Sequence, residues 1–249
     1  MPTDPGDASN REGSRTESGE QPDYRLGYES VRQELSAVDL PVEGAIPGWL
    51  DGTFVRNGPG RFEVGERSVE HWFDGLAMLR RFAFDGEGGV EYTNRFLRTE
   101  AFESARAGRI GSQGFAATPD RGALERLRSA LSLEPTDNAN ADVVRLGERY
   151  VALTESPRAV AFDPATLETG DELDWGDDLP VGHTTPHLRR DPVRGETLGY
   201  LTTFLPESAY HLFAIPDGEL RREVFATLPV ETPAYMHSFA HTDEYVVLT

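Results

Sequence analysis

The segment Met78-Leu-Arg-Arg-Phe-Ala-Phe84 is followed by Asp85-Gly86-Glu87-Gly88-Gly89 and then by Val90-Glu-Tyr-Thr-Asn-Arg-Phe96. Two runs rich in apolar and aromatic residues thus flank a glycine-rich turn that opens with Asp-Gly. Asp-Gly in this position is typical of a β-hairpin, because both residues tolerate the positive φ angles of the tightest turns. Residues 78–96 therefore predict two antiparallel strands joined by a short turn.

The same strand–turn–strand pattern recurs along the chain. Further short apolar runs flank turn residues at 143–153, 159–164, 187–200 and 210–225. Short strands with turns about every 8–12 residues indicate a β-sandwich, a β-barrel or a β-propeller. A parallel α/β fold is excluded because helical segments do not alternate with the strands. The sequence therefore predicts an all-β protein.

The spacing of two histidines favours a β-propeller among these three all-β folds. His187 follows Pro186, and His237 stands in Pro233-Ala-Tyr-Met-His237, fifty positions later and again just before an apolar run. A repeat of about fifty residues matches one blade of a β-propeller. Equivalent positions on successive blades face one central channel. Two imidazoles brought to one axis would form half of a metal site.

The length of the chain bears on how much of a propeller it holds. Six to eight blades of about 45–50 residues need well over 250 residues, whereas the chain has 249. The last apolar run, at 244–249, also resembles a strand interrupted in its middle. We therefore expect residues 25–249 to form the N-terminal blades of a longer propeller.

Three segments depart from the strand pattern. Residues 1–24 are polar and acidic, which predicts a disordered tail. Residues 28–38 predict a short helix. Residues 122–133 place leucines at spacings of three and four, which predicts an amphipathic helix inserted near 120–133 and packed on the sheets.

Composition limits the partners and the compartment. The formal charge is -19, all 24 basic residues are arginine, and cysteine is absent. Such acidity argues against nucleic acid as a partner and indicates a halophilic protein from a salt-rich cytoplasm. Without thiolates, any metal site must use histidine and carboxylate. The sequence shows neither a signal peptide nor a membrane span, so we expect a cytoplasmic protein.

Of the six histidines, His187 and His237 are the candidate ligands because of their spacing and matching contexts. His71 and His211 fit a structural or solvent-exposed role, as a lone histidine usually does. A ligand histidine needs an acceptor on its other ring nitrogen, and Glu155, at the end of a predicted strand, is a candidate. Residues 56–60 and 71–75 predict rigid turns between strands.

Several motifs together carry a resemblance to a known family. The segments Gly52-Thr-Phe-Val-Arg-Asn-Gly-Pro-Gly60 and His71-Trp-Phe-Asp-Gly75 resemble the opening of the carotenoid cleavage oxygenases, which include the retinoid isomerase and the lignostilbene dioxygenases. The likeness runs from about residue 40 to the end of the chain. It continues through 138–140, 152–155, 163–169, 185–187, 191–196 and 235–242.

The resemblance implies a seven-bladed β-propeller with a non-haem Fe(II) on its axis. In that family four histidines hold the iron, and three of them are hydrogen-bonded to glutamate. On this chain the resemblance assigns His187 and His237 as metal ligands. It assigns Glu155 as the hydrogen-bond partner of His237. The other two ligands would lie beyond residue 249.

The function that the resemblance implies is oxidative cleavage of a C=C bond. The substrates would be O₂ and an apolar carotenoid, apocarotenoid or stilbene. Peripheral membrane contact is a separate expectation, raised by the predicted helix near 120–133. One alternative is a catalytically inactive fragment or half-propeller, which lacks two of the four ligands and the C-terminal half. Another is an unrelated propeller hydrolase in which both histidines are structural.

Overall fold

The computed structural model describes residues 23–109, 135–204 and 206–248, and almost all regular structure in these ranges is β. One α-helix, α1, spans Glu100–Arg106, and short 3-10 helices span Asp23–Tyr28 and Trp72–Asp74. The strands are β1 Val38–Asp39, β2 Asp51–Arg61, β3 Glu63–Val64, β4 Arg67–Ser68, β5 Leu76–Asp85, β6 Val90–Phe96, β7 Asp142–Leu146, β8 Arg149–Leu153, β9 Val160–Phe162, β10 Thr169–Glu172, β11 His183–Thr184, β12 Arg189–Asp191, β13 Glu196–Thr203, β14 Ala209–Pro216, β15 Glu223–Pro229, β16 Phe239–His241 and β17 Val246–Leu248.

Consecutive parts of the chain form separate antiparallel sheets. Sheet 1 has the order β1-β6-β5-β2, and sheet 2 has the order β10-β9-β8-β7. Sheet 3 begins with β11 and β12, which both pair with β13, and continues through β14 to β15. Sheet 4 pairs β16 with β17, and β3 with β4 form a small hairpin. The hairpin predicted at 78–96 is confirmed as β5 and β6.

The sheets stack face to face in chain order. Leu79 of sheet 1 packs with Ala152 and Phe162 of sheet 2 in one apolar layer. Val151 is the neighbour of Ala152 and points to the opposite face of sheet 2. It packs in a second layer with Leu201 of sheet 3. Because neighbouring residues of a strand point to opposite faces, sheets 2 and 3 are buried on both sides. The sheets therefore stack as propeller blades do, without closing into a ring within the described residues.

Asparagine side chains join sheet 1 to sheet 2. The side-chain amide of Asn57 on β2 donates to the carbonyl of Ala139 at 2.6 Å. Asn138 is buried; it donates to the carbonyl of Gly75 at 2.9 Å and accepts from the N–H of Ala77 at 2.9 Å. Asn140 donates to the carbonyl of Phe73 at 2.7 Å. These bonds fix the turn at 71–75 against sheet 2.

Two local predictions are wrong. Beyond Tyr28, which ends the first 3-10 helix, residues 28–38 form no helix, because their N–H groups bond to sheet 1 instead: those of Leu35 and Ala37 donate to the side chains of Asn94 and Thr93. Residues 56–60 form no turn but lie inside β2, which pairs with β5 along ten residue pairs despite Gly58, Pro59 and Gly60. Pairing across a long ladder outweighs the local preference of these residues for a turn.

Other predictions concern segments with little or no structural description. The tail predicted at 1–24 lies outside the described residues except for its last two, which begin the first 3-10 helix. The helix predicted near 120–133 also lies outside them. Within the ranges that are described, no helix is long and apolar enough to cross a membrane.

Candidate metal centre

His187 and His237 come from neighbouring sheets and meet at one end of them. His187 lies between β11 and β12, the two short strands that share one edge of sheet 3. His237 lies two residues before β16, the first strand of sheet 4. The structure therefore brings the two predicted ligands together from positions fifty residues apart, as their spacing suggested.

The two imidazoles face each other through the same ring nitrogen. The Nε2 atoms of His187 and His237 are 2.9 Å apart. The ring centroids are 4.6 Å apart and the ring planes are nearly perpendicular, at 82°. Two nitrogens that share a cation at about 2.0–2.1 Å and subtend a right angle at it are separated by about 3 Å. The spacing of the pair thus fits two ligands of one metal ion.

Each imidazole carries a carboxylate on its other nitrogen. Nδ1 of His237 makes a hydrogen bond with Oε1 of Glu155, the acceptor predicted from the sequence. Nδ1 of His187 is 2.7 Å from Oδ2 of Asp142, which the sequence analysis did not single out. Asp142 is the first residue of β7 and pairs with Leu153, the last residue of β8. Glu155 lies two residues after Leu153, so both carboxylates come from the same end of sheet 2.

These bonds determine where the lone pairs of the rings point. A carboxylate accepts, so each neutral ring places its proton on Nδ1 and leaves a lone pair on Nε2. Two lone pairs then face each other across 2.9 Å between His187 and His237. Such an arrangement is stabilised only by a shared proton or by a cation. The donor set therefore fits a divalent metal that accepts imidazole nitrogen.

Thr185 ties the two histidine segments together through their backbones. Its hydroxyl accepts the N–H of His187 at 3.2 Å and donates to the carbonyl of His237 at 3.2 Å. The Thr185 side chain is almost completely buried, with 2% of its surface exposed. The relative position of the two imidazoles is thus supported from the protein interior as well as by the carboxylates.

Glu155 is buried and serves two donors. Its Oε1 also accepts the hydroxyl of Tyr235 at 2.6 Å, while Oε2 has no hydrogen-bond partner among the residues that the structure describes. Burial first, and then the bond to Glu155, raise the pKa of the Tyr235 phenol. Burial, with a contribution from the Glu155 charge, raises the pKa of Tyr200 to about 12. Both phenols therefore stay protonated around the carboxylate.

A cavity of about 180 Å³ opens in front of the two imidazoles. Phe73 and Trp72 form its apolar wall, and the Phe73 ring lies parallel to the His237 ring at 6.3 Å. A second cavity of about 230 Å³ lies on the other side of Glu155, next to Tyr200 and Tyr235. The site thus combines a pair of imidazole nitrogens with an aromatic surface.

The remaining histidines do not join this centre. His211 bonds to Thr203 and Thr227 on sheet 3, which fits the structural role predicted for it. His71 accepts the N–H of Phe73 at the start of the second 3-10 helix. Within residues 23–109, 135–204 and 206–248, no group of three or more His, Cys, Asp or Glu side chains is placed to hold a metal.

The comparison with protein families agrees with the sequence motifs that resemble the carotenoid cleavage oxygenases. The family model described as retinal pigment epithelial membrane protein matches residues 28–249. The chain belongs to the carotenoid cleavage oxygenase family. The match covers all four sheets and both histidines.

Several members of the family resemble this chain in sequence. Carotenoid cleavage dioxygenase 8 homolog A of Oryza sativa is 36% identical over 88% of this chain and 42% of the rice protein. The β,β-carotene 15,15′-dioxygenase of Homo sapiens is 34% identical over 87% of this chain and 44% of the human protein. Apocarotenoid-15,15′-oxygenase of Synechocystis is 33% identical over 90% of this chain and 47% of that enzyme.

Solved structures of the family share the fold. A tryptophan-to-alanine variant of the Synechocystis apocarotenoid oxygenase superposes with a TM-score of 0.78 at 29% identity, over 91% of this chain and 48% of that one. The cobalt-substituted form of the same oxygenase gives a TM-score of 0.76 at 29% identity, with the same coverage. The chain thus spans about half the length of the relatives that it matches.

Sequence reasoning missed three residues of the centre. Asp142 bonds to His187, Tyr235 bonds to Glu155, and the Phe73 ring lies parallel to the His237 ring. For Asp142 a signal existed: the Val143 and Val151 runs predict a hairpin, and its register sets Asp142 beside the strand end that carries Glu155. For Phe73 the only signal was its place in the motif at 71–75, because its contact with the His237 ring depends on packing between distant parts of the chain.

Proposed function

We propose that this chain contributes two histidine ligands, His187 and His237, to the Fe(II) of a non-haem dioxygenase. The reaction is the oxidative cleavage of a C=C bond in a carotenoid, apocarotenoid or stilbene-like substrate. The observation that carries the proposal is the pair of Nε2 atoms 2.9 Å apart, each ring being held by a carboxylate on Nδ1. The names of the relatives, carotene dioxygenase and apocarotenoid oxygenase, supply the reaction class.

When bound, Fe(II) would supply the one-electron and O₂ chemistry that no amino-acid side chain provides. The chain's own residues would orient the ligands and shape the substrate site. Glu155 holds the proton of His237 on Nδ1, so that Nε2 keeps its lone pair and becomes a stronger donor. The hydroxyl of Tyr235 fixes the Glu155 carboxylate from the opposite side.

The aromatic wall would bind the polyene. Phe73 and Trp72 line the cavity in front of the histidines and offer flat apolar faces to a conjugated chain. Contact with these rings excludes water next to the ligands. The polar groups of the site would thus orient the imidazoles, and its aromatic groups would position the substrate.

A specific observation favours a second candidate, an inactive fragment. Two histidines and no third ligand come together among the described residues, and the chain spans about half of each relative. Metal affinity and selectivity depend on ligand number and geometry. Two imidazoles alone would then bind metal weakly, and cleavage would require the remaining half of the propeller.

The proposed ligands are tested by equilibrium dialysis of the chain against Co²⁺ and, without oxygen, Fe²⁺. We expect one ion per chain, and loss of binding when His187→Ala and His237→Ala are combined. His211→Ala is the matched control, since the side chain of His211 bonds to Thr203 and Thr227 in sheet 3, away from the proposed ligands. Retention of the metal in the double variant would overturn the ligand assignment.

The two candidate functions are separated by incubating the iron-loaded chain with an apocarotenal under ¹⁸O₂ and analysing the products by mass spectrometry. Two labelled carbonyl products would establish an oxygenase. Iron binding without products would favour the fragment. A preparation of the double histidine variant serves as the blank.

We further propose a cytoplasmic protein adapted to high salt, which contacts membranes only peripherally to collect its apolar substrate. The formal charge of -19 supports the adaptation to salt. The same charge disfavours direct attraction to anionic lipid. Collection would therefore depend on apolar contact.

A further inference from the structure

We propose that Asp142 is a positioning residue for His187, and that its carboxylate keeps the ring proton on Nδ1 so that Nε2 faces the metal. The inference rests on the proposed function, since it concerns the same centre. The resemblance to the family assigns a glutamate to His237 and leaves His187 without a carboxylate. In this chain the contact of 2.7 Å between Oδ2 of Asp142 and Nδ1 of His187 fills that role.

The carboxylate of Asp142 is itself fixed. Its second oxygen, Oδ1, accepts the N–H of Val143 at 2.8 Å. Its backbone carbonyl accepts the side-chain amide of Asn57 at 3.1 Å. Asp142 is also paired with Leu153 in the β7–β8 ladder. Both carboxylate oxygens are therefore engaged, and the acceptor that meets His187 cannot turn away without losing a backbone bond.

The ring of His187 has little else to hold it. The backbone N–H of His187 bonds to Thr185, but this bond leaves the side-chain torsions free. Among the contacts of the described residues, Nδ1 bonds to Asp142 and Nε2 meets His237. The orientation of the imidazole therefore depends on Asp142. A ring turned by half a revolution would place Cδ2 next to Asp142 and Cε1 next to His237, and the pairing of the two Nε2 atoms would be lost.

Asp142 adds a second negative charge beside the two imidazoles, next to that of Glu155. Opposite charge close to a cation stabilises it. Both histidine–carboxylate pairs are anchored at one end of sheet 2.

The test compares Asp142→Ala with the wild type in two measurements. In the metal-free chain labelled with ¹⁵N-histidine, the ring nitrogens report which atom carries the proton. We expect the Nδ1–H form of His187 in the wild type and a shift towards Nε2–H in the variant. Competition with a chelator then measures Co²⁺ affinity, which we expect to fall by about 10–100-fold.

Two further variants separate positioning from general damage. Asp171→Ala removes an exposed carboxylate from β10 of the same sheet and should leave both measurements unchanged. Asp142→Asn keeps the size of the side chain and a neutral oxygen acceptor, so we expect affinity between those of the wild type and Asp142→Ala. If Asp142→Ala does not fold, Asp142→Asn carries the test through its affinity and its His187 ring signals.

The outcomes separate this inference from the proposed function. Wild-type affinity and an unchanged Nδ1–H signal in Asp142→Ala would overturn the positioning role while leaving the ligands in place. A wild-type chain that binds neither Co²⁺ nor Fe²⁺ would overturn the proposed function. The proton position in the metal-free chain would still decide whether Asp142 orients His187.

Discussion

Gly199 on β13 lies directly beneath Leu188, the residue that follows His187. A Cβ atom at position 199 would stand 2.6 Å from Cδ2 of Leu188 and 2.4 Å from Cζ of Phe213. Phe213 belongs to the fully buried layer between sheets 2 and 3, and Leu188 packs against that layer. The absence of a side chain at Gly199 therefore lets the histidine segment lie flat on sheet 3.

Gly199→Ala should destabilise the protein by about 1–3 kcal/mol, because the added methyl forces Phe213 or Leu188 out of its packed position. Urea unfolding followed by tryptophan fluorescence measures the free energy. Gly27→Ala is the matched control, since a Cβ there meets no atom within 4 Å. Equal unfolding free energies for the two variants would show that the apolar layer between sheets 2 and 3 accommodates the methyl group without loss of stability.

Glu155→Gln should weaken Co²⁺ binding by about 10–100-fold, because a neutral amide holds the Nδ1 proton of His237 less strongly than a carboxylate does. Tyr235→Phe removes only the hydroxyl that donates to the same oxygen and should have a smaller effect. Chelator competition gives both affinities. A Tyr235→Phe loss equal to that of Glu155→Gln would assign the main role to the phenol.

A buried ion pair joins the segment between β10 and β11 to the residue that precedes β15. The guanidinium of Arg222 makes two bonds of 2.7 Å to the Asp177 carboxylate, and both side chains are 5% exposed. The same guanidinium lies over the ring of Trp175 at 4.9 Å. Arg222→Ala should cost about 3–5 kcal/mol in unfolding free energy, because it leaves the Asp177 charge buried without a partner.

The same pair predicts a dependence on pH. Burial raises the pKa of Asp177, but the bonds from Arg222 and from the Leu179 N–H outweigh burial and leave this pKa below its usual value. The unfolded-state value is about 3.9. The stabilisation is therefore present above that pH and is lost as the pH falls through the folded pKa.

Asp177→Asn tests this dependence through unfolding free energies measured between pH 7 and pH 3. Its stability should fall less steeply towards acid than that of the wild type, from a lower starting level. Asp171→Asn, an exposed carboxylate of sheet 2, should follow the wild-type slope. Parallel curves for wild type and Asp177→Asn would contradict the assignment of the acid sensitivity to this pair.

High salt should stabilise the chain. With a formal charge of -19, self-repulsion among carboxylates opposes the compact state, and raising KCl from about 0.1 M to 1 M shortens the Debye length from about 10 Å to 3 Å. We expect a higher thermal midpoint in KCl by circular dichroism. Sucrose at equal osmolality controls for solvent exclusion, and a midpoint indifferent to KCl would count against a salt-adapted protein.

Strands could be predicted from sequence where the signal is local. The hairpin of β5 and β6 and the runs that became β7, β8, β13 and β14 all combine apolar alternation with turn residues, and both features act within a few positions. The failures at 28–38 and 56–60 have the opposite cause. Their backbone groups bond to partners such as Asn94 and Leu79, distant in sequence or on another strand, so local propensity is overridden.

The sequence by itself determined the all-β class, the family and the choice of His187, His237 and Glu155, because these follow from short-range patterns and from motifs. The tertiary structure alone decided that the two Nε2 atoms stand 2.9 Å apart and that Asp142 holds the second ring. Contacts of this kind depend on strand register and on the stacking of separate sheets. Both are set by the packing of side chains brought together from distant parts of the chain.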